Sequence, residues 1–134
     1  MRRVILLTSL QPVELLGEAP PRHLVRPRGA HANSSQDVAD LAEAFGFELD
    51  DWQELILEAG LGERRGGQWA ARRIGVTVPR QNGKTYLLIA RALAGVLLFG
   101  EKKIVISAHL QDTAREAFDD LVDILEADGN ESLL

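Results

Sequence analysis

Hydrophobic residues recur at helical spacing in four stretches of this chain, and the first two lie in its first half. The first stretch follows Ser34, which stands three residues before Asp37 as in a helix capping box, and Gly46 ends it in the manner of a left-handed cap. The second begins after Asp50 and ends at Gly60. Their apolar positions are Val38, Leu41, Ala42, Phe45, Trp52, Leu55, Ile56 and Ala59.

The other two helices are predicted in the second half of the chain. One begins at Lys84 and ends at Gly100, and the other begins at Asp112 or Thr113 and ends within residues 128–130. Their apolar positions are Leu87, Leu88, Ala90, Leu93, Ala94, Leu97 and Leu98 in the third helix, and Ala114, Phe118, Leu121, Val122 and Leu125 in the fourth.

Two short runs have a different pattern, rich in β-branched residues. Residues 74–78 read IGVTV and are bounded by Pro79, and residues 104–108 read IVISA. Such runs are typical of buried strands. With the helices between and after them, they give the order strand, loop, helix, strand, helix. The sequence therefore predicts an α/β fold with a parallel βαβ core and a right-handed crossover.

The overall composition is that of a globular protein, but it differs between the N-terminal residues and the rest of the chain. Of 134 residues, 46% are apolar and 26% charged, and cysteine is absent, which excludes disulfides and thiolate metal sites. The three histidines lack metal-ligand spacing. Residues 1–33 read as a flexible leader rich in proline and arginine, so the ordered domain is expected at residues 34–134. The leader arginines either contact nucleic acid or remain solvated.

The stretch VPRQNGKTYLL, at residues 78–88, is the candidate for chemistry. Gly83, Lys84 and Thr85 match the end of a phosphate-binding loop, although Val78 stands where the usual pattern has its first glycine. In such a loop, backbone N–H groups at a helix N-terminus face the phosphates, the lysine reaches the β- and γ-phosphates, and the hydroxyl binds Mg²⁺. The alternative is an ordinary turn with a solvated lysine. A lysine is disfavoured at the positive end of a helix, which favours the phosphate loop.

Three further residues complete the candidate loop. Gln81 and Asn82 are polar enough to line it, and Arg80 adds a second cation that could stabilise charge on a leaving γ-phosphate. On composition alone, Arg80 is equally well explained as a surface arginine.

The loop resembles the variant Walker A motif of the large terminase subunit of tailed bacteriophages and prophages, the ATP-driven motor that packages DNA into phage heads. The resemblance is carried by "RQNGKT", by the upstream segments "SSQDVADLAEAFGFELDDWQ" and "LDDWQELILEAGLG", and by "KIVISAHLQDTAREAFDDLVDIL" downstream. It extends over residues 34–126. It implies a P-loop NTPase domain of the RecA/ASCE-like class.

The resemblance also implies roles for individual residues. Lys84 would be the catalytic Walker A lysine, Thr85 the Mg²⁺ ligand, and Arg80 the arginine that senses or stabilises the γ-phosphate. Gln53 would read adenine, since an amide can both donate to and accept from the base edge. Trp52 beside it is expected to pack in the core. The implied cofactors are ATP and Mg²⁺.

By resemblance, the expected partners are double-stranded DNA, the portal protein and the terminase small subunit. A homo-oligomeric ring in the cytoplasm of a bacterial host, with no membrane contact, is also implied. The only candidate for the family's Walker B strand is residues 124–128. These residues follow a helical pattern, so we do not accept them as that strand. We therefore expect a fragment whose own hydrolysis is slow or absent. The alternatives are a fragment of a superfamily-2 helicase and an inert prophage remnant.

Overall fold

The computed structural model describes residues 4–6, 21–79, 81–127 and 129–130, with the backbone alone for the first three. Within these residues there are four helices and four short strands. The helices are α1 (Ser35–Ala44), α2 (Asp51–Gly60), α3 (Lys84–Leu97) and α4 (Gln111–Glu126). The strands are β1 (Val4–Leu6), β2 (His23–Val25), β3 (Ala32–Asn33) and β4 (Gly62–Glu63).

The chain divides into two compact units. The first unit comprises Met1–Asp37 and Asp50–Val78, and the second comprises Val38–Leu49 and Pro79–Leu134. The boundary between predicted leader and domain lies inside the first unit, where β2 and β3 fall within the described part of residues 1–33. The rest of that leader, residues 1–3 and 7–20, lies outside the described residues.

The first unit is built from two antiparallel strand pairs and α2. β1 pairs with β2, and β3 pairs with β4. The chain after β4 turns back so that Trp69 forms a bridge to Glu63. Gly62 is required here because a Cβ at this position would lie 2.8 Å from the Cβ of Ala30, closer than side chains approach. The strands thus meet at a point that only glycine fits.

The second unit has a hydrophobic core made by the end of α1, α3 and α4. Phe45, Ile89 and Leu93 form its buried centre. Partly buried residues pack around them: Leu41, Phe47, Leu97, Leu121, Ile124 and Leu125. These are the 3.6-residue stripes of amphipathic helices, and their burial supplies the main favourable term in folding.

All four predicted helices are present, although α4 begins one residue before the predicted start and α3 and α4 end two or three residues before the predicted positions. Gly46 and Gly100 have the left-handed φ values, 87° and 64°, that glycine accepts after a helix. The predicted buried face of α2 is wrong by about one position. Its buried residues are Gln53, Leu57 and Gly60, while the predicted face is only half-buried.

The predicted α/β fold with a parallel βαβ core is wrong for the part of the chain that the structure describes. Residues 74–78 and 104–108 form neither helix nor strand there, and both observed sheets are antiparallel pairs. Ile74 and Val105 are exposed, at 48% and 73%. The two runs have the composition of strands, but a strand also needs a partner for its N–H and C=O groups. The molecule is mostly helical.

Candidate functional site

The candidate phosphate loop leads directly into α3. Gly83 is the N-cap of that helix, with φ 73° and ψ 19°, and Lys84 and Thr85 are its first two residues. Gln81 has a positive φ of 60°, which is uncommon outside glycine and costs about 1 kcal/mol or more. Two of the three residues before α3, Gln81 and Gly83, are therefore left-handed. The chain turns at these residues and enters the helix at its positive end.

Lys84 is folded back over this loop. Its Nζ donates a hydrogen bond to the carbonyl oxygen of Pro79 at 2.7 Å. Because the side chain returns toward the residues before the helix, its charge lies at the loop and not along the helix surface. A cation in the first turn is opposed by the helix dipole, and the carbonyl contact offsets part of that cost.

The other predicted loop residues lie in sequence around Lys84. Gln81 and Asn82 are exposed, whereas Gly83 and Thr85 are half-buried. Arg80 lies outside the described residues, so its assigned role stays a prediction. The structure thus brings together, at one helix start, a lysine ammonium, a threonine hydroxyl and a left-handed glycine. These are groups that can bind phosphate and a hydrated Mg²⁺.

Gln53 lies in the first unit, in the first turn of α2. Its side chain is buried, with 2% exposure, and its amide oxygen accepts a hydrogen bond from the Asp50 N–H at 2.7 Å. This is the glutamine side of a capping box, so Gln53 has a structural function at the start of α2. Its assignment as adenine reader stays a prediction. Trp52, expected in the core, is half-buried, and its indole N–H donates to Asp50 Oδ2 at 3.3 Å.

The structure also shows an ion pair that the sequence did not predict. Arg91 donates to both carboxylate oxygens of Glu101 at 2.6 and 3.1 Å. Its guanidinium carbon lies 5.3 Å from the ring centroid of Phe99. The hydrogen bond from Arg91 holds the pKa of Glu101 below its ordinary value. The sequence feature that could have indicated this ion pair is Gly100, because a left-handed residue after α3 turns the chain back along that helix.

A second arginine–glutamate pair, also joined by two hydrogen bonds, lies in the first unit. Arg26 donates to the two carboxylate oxygens of Glu58 at 2.7 and 2.9 Å. These bonds lower the pKa of Glu58 and raise that of Arg26. The two residues are 32 positions apart, so local pattern gives no indication of the pair.

Two other kinds of site are absent from the described part of the chain. It contains no group of three or more histidine, cysteine, aspartate or glutamate residues placed to hold a metal ion. None of the helices found there is both long and apolar enough to cross a membrane.

Comparisons of the chain with protein-family models, curated proteins and solved structures gave no match. No family is assigned to it on that basis.

Proposed function

We propose that residues 79–85 bind the phosphates of ATP with Mg²⁺, and that this site belongs to a DNA-packaging motor of the terminase type. The observation that carries the ATP site is the start of α3. There, a left-handed Gly83 is followed at once by Lys84 and Thr85. The motor assignment rests on the sequence resemblance over residues 34–126.

In this proposal each loop residue has a defined task. Lys84 binds the β- and γ-phosphate oxygens, and Thr85 contributes its hydroxyl to Mg²⁺. Gln81, Asn82 and Gly83 form the backbone around the phosphates, and Arg80 stabilises charge on the γ-phosphate.

Binding requires Lys84 to exchange one partner for another. Its ammonium group now donates to the Pro79 carbonyl. Its bond to the carbonyl involves one charged group, whereas a bond to phosphate joins two opposite charges and adds Coulomb attraction to the hydrogen bond. Phosphate is therefore the stronger acceptor, and the observed contact is compatible with a resting position of the lysine.

An inert helix cap is the competing function, and one observation favours it. The described residues lack the parallel strand pair that the terminase resemblance implied. In that case Lys84 would only close the loop through Pro79. Whether the loop binds ATP separates the two functions.

The test is a titration of a fluorescent ATP analogue with Mg²⁺ into the wild type, Lys84→Ala and Lys103→Ala. Lys103 is an exposed lysine in the turn after α3 and serves as the matched control. We expect Lys84→Ala to weaken binding about 10- to 100-fold, which corresponds to one lost charge-assisted bond. Lys103→Ala should leave affinity within twofold. Equal affinity in folded wild type and Lys84→Ala would reject the phosphate site.

A second variant tests the magnesium ligand. Wild-type affinity should fall when EDTA replaces Mg²⁺, whereas Thr85→Ala should bind equally weakly with and without the metal. Phosphate release followed in parallel should be slow or absent, as expected if the groups around the γ-phosphate are incomplete. A magnesium response preserved in Thr85→Ala would remove Thr85 from the site.

A further inference from the structure

The first unit contains a pocket that none of the proposed ATP-site residues lines. Its volume is about 600 Å³, and it is bounded by β2 and the residues after it, the end of α2, and residues 71 and 73–75. Small-molecule sites are typically clefts of roughly 300–1,000 Å³. The pocket is therefore large enough for a small organic ligand.

The charge of this pocket has one sign. Four arginines line it, namely Arg26, Arg28, Arg64 and Arg73, and the described residues of its wall include no carboxylate. The Arg26 charge is neutralised by Glu58. The side chains of the other three make no ion pair with any described residue. Three arginines besides Arg26 thus line a cavity whose described wall contains no carboxylate to neutralise them.

The floor of the pocket is apolar. Ile56, Ala59 and Ile74 contribute to its wall, and the Ile74 side chain lies directly against Gly60. Any side chain at position 60 would displace Ile74 from this floor. A cavity lined by both apolar side chains and arginines has two kinds of surface, and a ligand with an anionic group and an apolar body complements both.

We propose that this pocket binds a small phosphorylated ligand, with its phosphate held by Arg28, Arg64 and Arg73 and its apolar or aromatic part on the Ile56–Ile74 floor. Guanidinium groups present paired N–H donors that match the oxygens of phosphate. A phosphate dianion satisfies several such groups at once, whereas one carboxylate offers fewer acceptor positions. The proposal is independent of the ATP site, because the two sites share no residue.

The test uses phenyl phosphate as the probe, with phenol and inorganic phosphate as its two halves, followed by calorimetry and amide chemical shifts of the full chain. Phenyl phosphate should bind at least 10-fold more tightly than either half. Arg28→Gln and Arg73→Gln should each weaken it about 10-fold. Arg65→Gln and Arg72→Gln, exposed arginines outside the pocket, should change affinity less than twofold.

Two further variants test whether this pocket, and the paired donors of its arginines, account for the binding. Lys84→Ala should bind phenyl phosphate like the wild type, whatever its effect on ATP. Arg73→Lys keeps the charge and the fold but loses the paired donors, so it should lie between wild type and Arg73→Gln. Unchanged affinity in folded Arg28→Gln and Arg73→Gln would overturn the proposal.

A single-stranded oligonucleotide provides the last comparison. If it bound more than 10-fold tighter than phenyl phosphate and needed Arg28 and Arg73, the phosphate would come from a nucleic-acid backbone. That result would overturn the small-ligand assignment. Weaker oligonucleotide binding, or binding insensitive to both arginines, supports it.

Discussion

At the scale of single residues, Gln53 shows how a candidate ligand group can also be structural. Its amide oxygen holds the Asp50 N–H, and its side chain is buried. We expect Gln53→Ala to lower the free energy of unfolding by about 2–3 kcal/mol. The loss combines a cap, about 1 kcal/mol, with the cavity left by a large buried side chain. Chemical denaturation measures it.

The control for this variant is Glu54→Ala, at an exposed position in the same helical turn, which should change stability by less than about 0.5 kcal/mol. The same two proteins should be titrated with the ATP analogue at a temperature where both are folded. Normal stability with lost ATP affinity in Gln53→Ala would contradict the capping role and favour adenine recognition.

The sequence predicts residue-scale features when local geometry decides them. Gly46 and Gly100 adopt the left-handed conformations expected after a helix. Gln53 was recognisable as the third residue after a helix cap, but its burial was not. Burial depends on which face of α2 meets residues distant in sequence, and periodicity alone misplaced that face.

At the scale of elements, α4 carries an unfavourable distribution of charge. Six acidic residues lie in it against one arginine, and none of its last-turn residues is basic. Its acids are Asp112, Glu116, Asp119, Asp120, Asp123 and Glu126. Like charges four apart repel one another, and acids near the C-terminus oppose the helix dipole.

We expect Asp123→Lys to raise the free energy of unfolding by about 0.5–1 kcal/mol. The change removes the repulsion between Asp123 and Asp119, which stands four residues earlier. An acid four residues before a lysine is the more favourable order of an ion pair on a helix. It also places a cation near the negative end of the helix. Thermal or urea unfolding at low salt detects the gain, which should shrink in roughly 0.5 M NaCl as screening increases.

Asp112→Lys is the matched control, since it makes the same charge change in the first turn of α4. In the first turn, the carboxylate interacts favourably with the helix dipole, so its replacement should leave the free energy of unfolding unchanged or lower it. If both variants were stabilised equally, net charge and not position along the helix would be the cause.

Helices were predictable from sequence because each satisfies its backbone within a local segment. The conformation of residues 74–78 and 104–108 was not predictable in the same way, because a strand depends on partners elsewhere in the chain. Their β-branched composition reports compatibility with a sheet, not the presence of one. The loop from Gly83 to Thr85, by contrast, was predicted together with the helix that it begins.

At the scale of the whole molecule, the described residues of each unit contain an arginine–carboxylate pair that links separate parts of the chain. Arg26–Glu58 belongs to the first unit and Arg91–Glu101 to the second. Neither pair was predicted, since each depends on turns that return the chain to an earlier element. The division into units has the same origin, because Val38–Leu49 joins residues after 78 and not its immediate neighbours.

These two pairs predict a specific sensitivity to acid. The hydrogen bonds from arginine hold the pKa of both Glu58 and Glu101 below the ordinary value of 4.5. The unfolded chain therefore takes up these protons first as pH falls. The stability that each pair contributes is complete above about pH 5 and is lost as pH falls through the lower folded pKa.

The measurement is the stability difference between the wild type and Glu101→Gln, because subtraction cancels the titration of the other acids. At pH 7 we expect about 0.5–1 kcal/mol, the range for a partly shielded pair, and a difference that decreases as the pH falls through the lowered pKa of Glu101. Glu58→Gln should give a smaller difference that is more easily screened by salt, since Glu58 is 51% exposed against 32% for Glu101. A difference for Glu101→Gln that stayed constant with pH would mean that packing around Arg91 and Phe99, not the charge pair, stabilises the turn after α3.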